Sequence, residues 1–116
     1  MSEIIEKSTT EIRAFRDARD WRQFHPPKDL AAGIAVEAGE LLQYFVWKTA
    51  AESEERAAAR REDIADELAD VSILVFELVE NRGINLAAAI RTKVAKNETR
   101  YPVDKARGSN RKYNEL

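Results

Sequence analysis

Cysteine is absent from this chain of 116 residues, and helix-breaking residues are few, with four glycines and three prolines. The lack of cysteine excludes disulfides and thiolate metal sites and is typical of a reducing compartment. Residues 1–10 are polar, unlike a signal peptide, and no segment approaches the ~20 apolar residues that cross a bilayer. We therefore expect a cytoplasmic protein with no membrane partner.

An excess of either charge sign is also missing. Lys and Arg total 19, Asp and Glu total 21, and the net charge is -2. A chain with this balance has no global attraction to a nucleic-acid backbone, so we expect no nucleic-acid partner. The function has to be inferred from local patterns of residues.

The apolar periodicity predicts an all-α bundle in a single domain over residues 1–116. Four helices are expected, at about 8–24, 28–48, 53–82 and 85–98, followed by an extended polar tail over 104–116. Their expected N-caps include Thr9 or Thr10, Ser53 and Asn85. The third helix carries apolar residues on more than one side, including Ile73 and Phe76, which one short chain cannot cover. We therefore expect a homo-oligomer.

Two pairs of carboxylates stand inside the apolar stripes of consecutive helices. Glu37 and Glu40 are three residues apart in the second helix, and Glu67 and Asp70 have the same spacing in the third. This spacing places both members of a pair on one helix face. Buried carboxylates require a positive partner, and four oxygen ligands without cysteine favour a hard divalent cation, Mg²⁺ or Mn²⁺.

The carboxylates also allow other interpretations. A single pair of this kind usually marks a solvated helix face, whereas two pairs inside apolar stripes favour a metal site. A di-iron site would require Glu-x-x-His pairs, and His25, the one histidine, is not at that spacing.

The motif Glu-x-x-Glu at 37–40, followed after a spacer by Glu-x-x-Asp at 67–70, resembles that of the MazG-like all-α nucleotide pyrophosphohydrolases. Further segments resemble the dCTP pyrophosphatase branch of that family. They are Arg19-Asp20-Trp21, Gln23-Phe24-His25, Trp47-Lys48-Thr49, Asn97, Arg100-Tyr101-Pro102 and Ser109 to Leu116. The resemblance extends over nearly the whole chain.

The resemblance implies a four-helix MazG-like fold in a tight dimer or tetramer. It also implies Mg²⁺-dependent hydrolysis of dCTP or a modified dCTP to the monophosphate and pyrophosphate, which cleans the nucleotide pool. Glu37, Glu40, Glu67 and Asp70 would act as metal ligands and catalytic residues. The implied substrate contacts are Trp21, His25, Trp47 and Asn97 around the nucleoside, and Lys93, Arg100 and Tyr101 at the phosphates.

One position departs from the branch. A tyrosine near the sugar often follows the metal-binding aspartate by four residues, and Leu74 takes its place here. The preference for deoxyribose over ribose is therefore open, because polar contacts supply large selectivity. Two alternative functions also remain: the same hydrolysis of dUTP, dATP or a broad set of triphosphates, and a non-catalytic helical interaction module stabilised by a metal.

Overall fold

The computed structural model describes residues 2–116, and this part of the chain contains helices and no strand. The predicted all-α fold class is thereby confirmed. The α-helices are α1 (Ser2–Asp17), α2 (Pro27–Gln43), α3 (Ala50–Ala59), α4 (Arg61–Asn81), α5 (Leu86–Arg100) and α6 (Val103–Ala106), with short 3₁₀ turns at Arg22–Phe24 and Tyr113–Glu115. Residues 2–83 and 84–116 form two compact units.

The first helix begins and ends earlier than the predicted range of 8–24. Thr9 and Thr10 lie within α1 rather than at its N-cap, and their hydroxyls donate to the carbonyls of Ile5 and Glu6, one turn earlier. Hydroxyls that bond in this way are compatible with a helix interior. After α1 the chain turns through Asp20, whose φ of 53° lies in the left-handed region that aspartate tolerates.

The second helix begins as predicted but ends earlier, at Gln43 instead of Lys48. Pro27 occupies its first turn, where the missing N–H is not needed. Residues 44–47 form a turn that places Trp47 at φ 63°. The indole therefore lies outside α2.

The predicted helix over 53–82 is two helices, because the backbone changes direction at Arg60 (φ −116°, ψ 33°). The cap of α3 is Thr49, not Ser53. The Thr49 hydroxyl accepts from Glu52 N–H at 3.1 Å, and Glu52 Oε1 accepts from Thr49 N–H at 2.9 Å, which is a capping box. The hydrogen bond from the Thr49 N–H stabilises the charged form of Glu52 and so lowers the pKa of its carboxyl.

The packing of α2 against α4 forms the centre of the first unit. Leu30 of α2 is fully buried, with 1% of its surface exposed. A Cβ atom on Gly33 would lie 2.9 Å from Leu74 Cδ1, so glycine allows these helices to approach closely. Leu74 thus packs against the backbone of α2 at Gly33.

The second unit begins with the predicted cap, since Asn85 Oδ1 accepts from Ala88 N–H at 3.0 Å. The segment 104–116 is not extended as predicted, because it contains the end of α6 and the turn at Tyr113–Glu115. Tyr113 packs edge to face on Tyr101, with ring centroids 6.1 Å apart. The aromatic pair folds the segment back onto the end of α5.

No helix in the described part of the chain has both the length and the apolar character needed to cross a membrane.

Candidate metal and nucleotide site

The four carboxylates of the two predicted pairs converge between α2 and α4. Glu37, Glu40, Glu67 and Asp70 each offer one oxygen, and these oxygens all lie within 4.8 Å of one another. Glu37 and Glu67 are half-buried, whereas Glu40 and Asp70 are exposed. The helix periodicity thus places two oxygens toward the interior and leaves the other two accessible to a ligand from solvent.

The cluster is electrostatically unfavourable by itself. Glu37 Oε2 and Glu67 Oε2 are buried without a hydrogen-bond partner. A hydrogen bond with Glu40, then burial and then repulsion by the neighbouring carboxylates raise the pKa of Glu37. Burial, followed by the charge of Glu40, raises the pKa of Glu67. The folded chain therefore disfavours the charged form of both groups.

A divalent cation fits this donor set. Every donor is a carboxylate oxygen, which is the ligand type that Mg²⁺, Mn²⁺ and Ca²⁺ prefer, and the two buried oxygens without partners are what a cation would satisfy. Because the ligands come in pairs from two packed helices, the cluster could hold a metal ion between α2 and α4.

The two tryptophans predicted to contact the base are both in the first unit. Trp21 is 42% exposed and packs edge to face on Phe15, at a centroid distance of 5.7 Å. The Arg19 guanidinium lies 3.8 Å from the Phe15 centroid. Trp47 is 97% exposed. Its indole is therefore open on both faces to a stacking partner.

His25 is hydrogen-bonded to a buried carboxylate, Glu77, which was not among the site residues predicted from the sequence. Its Nδ1 lies 2.5 Å from Glu77 Oε1, and Glu77 is 2% exposed. Arg16, 3% exposed, reaches Glu77 at 3.4 Å and Asn81 at 2.9 Å. Burial alone would lower the pKa of Arg16, but its bonds to Asp17 and Glu77 outweigh burial and raise it.

A sequence signal for Glu77 existed. Glu77 lies four residues after Ile73 and three after Leu74 in α4, so it stands on a helix face that carries apolar residues one turn earlier. Its partner Arg16 is 61 residues away in the chain, so the buried ion pair has no local pattern.

The four residues predicted near the nucleotide or its phosphates in the second unit follow one another at helical spacing along α5 and its end. Lys93 and Arg100 are exposed, and Asn97 and Tyr101 are half-buried. The Arg100 guanidinium lies 5.0 Å from the Tyr113 ring centroid. These residues thus form one mixed cationic and polar group around the end of α5.

Comparison with known proteins decides the family. The family model for MazG-like proteins matches residues 33–116. The chain belongs to the MazG-like family. The resemblance predicted from its motifs is thereby confirmed. Over 104 residues this MazG-like chain is 40% identical to dCTP pyrophosphatase 1 of Homo sapiens and 39% identical to that of Rattus norvegicus. Each match covers 88% of the chain and 61% of the relative, so the chain spans about three fifths of these curated relatives.

A solved structure supports the same fold. The crystal structure of a pyrophosphatase from Archaeoglobus fulgidus superposes with a TM-score of 0.81 at 38% sequence identity. The match covers 84% of the MazG-like chain and 91% of the archaeal one. The arrangement of helices is thus shared by a protein named for pyrophosphatase activity.

Proposed function

We propose that this MazG-like chain is a Mg²⁺-dependent enzyme that hydrolyses the α–β phosphoanhydride of dCTP or a modified dCTP to the monophosphate and pyrophosphate. The convergence of four carboxylate oxygens within 4.8 Å between α2 and α4 carries the proposal. The names of the human and rat relatives support dCTP as the substrate. Such an activity would clean the cytoplasmic nucleotide pool.

The burial of the carboxylates supports a division of roles among them. A divalent cation bound by them would neutralise triphosphate charge and activate water. Glu37 and Glu67 supply the buried oxygens, which the packing of α2 on α4 fixes in position. Glu40 and Asp70 supply the oxygens that solvent reaches, where a substrate enters. Ligands on rigid helices keep such a site in its productive geometry.

The remaining substrate contacts are carried over from the family resemblance. We propose that Trp21 and Trp47 stack on the base, because an exposed indole can stack on the flat face of any base. His25 and Asn97 supply hydrogen bonds to the nucleoside. The phosphate contacts proposed for the second unit are Lys93, Arg100 and Tyr101.

We also propose that the chain forms a homodimer or tetramer. An open groove of about 440 Å³ lies between α1 and α4, lined mostly by apolar side chains such as Ile12, Phe15, Ile73 and Phe76. Phe15 is 53% exposed and Ile73 is 42% exposed. A second copy packed on this groove would remove apolar surface from water.

The test is release of pyrophosphate from dCTP, 5-methyl-dCTP, dUTP, dTTP, dATP, dGTP and CTP with Mg²⁺, and again with Mn²⁺, with each monophosphate identified. We expect the dCTP analogues to be hydrolysed fastest. Glu40→Gln and Asp70→Asn should lower kcat by at least about 100-fold, since each removes one ligand charge and preserves side-chain shape.

The matched control is Glu62→Gln, which removes a charge from an exposed position of α4 outside the cluster. It should retain wild-type turnover. Full activity in Asp70→Asn would contradict the assigned site. If no triphosphate is hydrolysed but Mg²⁺ raises the melting temperature, the chain is a metal-stabilised helical module.

A further inference from the structure

His25 is held from two directions, so that a single ring nitrogen is left for a ligand. Its backbone N–H donates to the Arg22 carbonyl at 3.0 Å, and Pro26 and Pro27 restrict the chain immediately after it. Its Nδ1 is engaged with Glu77 Oε1 at 2.5 Å. The side chain is only 24% exposed. Any hydrogen bond from this ring to a ligand must therefore use Nε2.

The partner of Nδ1 acts as an acceptor. The same Glu77 Oε1 also accepts from Arg16 Nη1 at 3.4 Å, and a guanidinium can only donate. An oxygen that already accepts from Arg16 is placed to accept from His25 as well, so we assign the proton of the short contact to Nδ1. The bond on one ring nitrogen sets the role of the other. In the neutral ring, Nε2 then carries a lone pair and accepts.

Glu77 contacts His25 but does not line the cavity that His25 lines. An open cavity of about 250 Å³ is lined by His25 together with Arg22, Gln23, Asn81 and Arg82. Glu77 and Arg16 are not part of its wall and are almost completely buried. Asn81 also accepts from Arg16, which fixes the guanidinium between two side chains of α4.

We propose that Glu77 is a positioning residue that holds His25 in its Nδ1–H tautomer, so that Nε2 accepts a hydrogen bond from an exocyclic amino group of the base. The inference rests on the proposed function, because it takes His25 as a base contact. The group recognised by His25 is then a hydrogen-bond donor on the base. A base whose amino group faces Nε2 donates a hydrogen bond to it. A base with a carbonyl at that position places a second acceptor against Nε2, and no hydrogen bond forms.

The tautomer can be measured without any variant. His25 is the single histidine of the chain, so the ¹⁵N NMR signals of histidine ring nitrogens need no residue assignment. We expect the wild-type protein at pH 8 to show a protonated Nδ1 and an unprotonated Nε2. Glu77→Gln should shift the ring toward Nε2–H. The control Glu80→Gln removes a neighbouring charge that pairs with Arg13 and should leave the spectrum unchanged.

Specificity is the second readout. The ratio of kcat/KM for dCTP over dUTP should fall about threefold to tenfold in Glu77→Gln, the range of one neutral hydrogen bond. The same ratio should fall in His25→Ala, and adding Glu77→Gln to His25→Ala should change it no further. A merely structural role for Glu77 would lower both rates together and leave the ratio unchanged.

The outcomes separate this inference from the proposed function. A dominant Nε2–H tautomer in the wild-type protein, or an unchanged ratio in Glu77→Gln, would overturn the role of Glu77 while hydrolysis stands. Absence of hydrolysis of every triphosphate would overturn the proposed function and the base specificity, and the NMR measurement would still decide the tautomer.

Discussion

At the scale of single residues, Trp47 combines two features that stability alone does not favour. Its φ of 63° lies in the left-handed region, where a side chain with a Cβ is strained by about 1–2 kcal/mol. Its indole is 97% exposed, so no burial offsets the strain. Strained residues concentrate at binding sites, which agrees with the proposed stacking role.

This strain gives a prediction for two substitutions of Trp47. Both Trp47→Gly and Trp47→Ala remove the indole, but only glycine adopts a positive φ freely. We expect the glycine variant to be about 1 kcal/mol more stable than the alanine variant, measured by chemical denaturation. Both should raise KM for dCTP about fivefold or more, because a stacked base contributes ~1–3 kcal/mol. Equal stability of the two variants would contradict the strain.

The candidate ligands were predictable from sequence because their anomaly is local. A carboxylate inside the apolar stripe of one helix is visible from its neighbours in the chain, as at Glu37 and Glu67. The role of Glu77 was not predictable, because it depends on Arg16 and His25 from other segments. The strain at Trp47 was missed for a different reason: the predicted helix extended to residue 48.

At the scale of helices, the close approach of α2 and α4 depends on Gly33. A Cβ there would lie 2.9 Å from Leu74 Cδ1, whereas a Cβ on Gly39 would have open space. Exchanging glycine for alanine inside a helix gains about 1 kcal/mol of propensity. We expect Gly39→Ala to raise the free energy of unfolding by that amount, and Gly33→Ala to gain less because Leu74 must move.

The two variants should be compared in chelator at equal protein concentration, so that metal and assembly do not differ. Equal stabilisation of Gly33→Ala and Gly39→Ala would show that Leu74 moves aside without a cost in the free energy of unfolding. Gly33→Leu, which overfills the contact, should destabilise by about 1–3 kcal/mol.

The carboxylates between the same helices make stability depend on pH. The pKa values of Glu37 and Glu67 are raised, so the folded state binds protons more tightly than the unfolded state. The stability that these two carboxyls contribute is therefore fully present below about pH 4.3, the usual pKa of glutamate. It is lost as the pH rises through the raised pKa values.

We expect this loss in the metal-free protein, seen as a melting temperature that falls relative to Glu37→Gln as pH rises from about 4 to about 8. Because Mg²⁺ competes with protons for the same oxygens, the stabilisation by Mg²⁺ should grow over the same range. A difference between wild type and Glu37→Gln that does not change with pH would contradict the raised pKa values.

The helix boundaries were predictable where the cap is local and unique, as at Asn85. They were wrong where several signals competed. Thr49 and Glu52 have the capping-box spacing, and they cap α3 in place of the predicted Ser53. The break at Arg60 lies among alanines and arginines, which favour helix, so no propensity marks it. Packing of α3 and α4 on their neighbours decides such a break.

At the scale of the whole molecule, the exposed groove between α1 and α4 is the surface on which we propose that copies associate. If Ile73 packs against a second copy, a charge there should disrupt assembly. We expect light scattering to find a dimer or tetramer for the wild-type chain and a smaller species for Ile73→Glu. Val103→Glu, which adds the same charge to an exposed apolar position elsewhere, should leave the assembly unchanged. A monomeric wild type would contradict the proposed oligomer.

The fold class was predictable for the whole molecule because scarce glycine and proline and a consistent helical period point the same way. The compact arrangement of residues 84–116 was not predictable, since it depends on the aromatic contact between Tyr101 and Tyr113 across a polar segment.

The two buried oxygens without partners, on Glu37 and Glu67, have a consequence for directed evolution. Replacing either carboxylate with a neutral side chain of similar size would relieve the repulsion and raise the yield of folded metal-free protein. Under the proposed function, a library selected for expression or heat resistance alone would therefore accumulate inactive variants substituted at these two positions. Any stabilisation campaign needs turnover as a parallel selection.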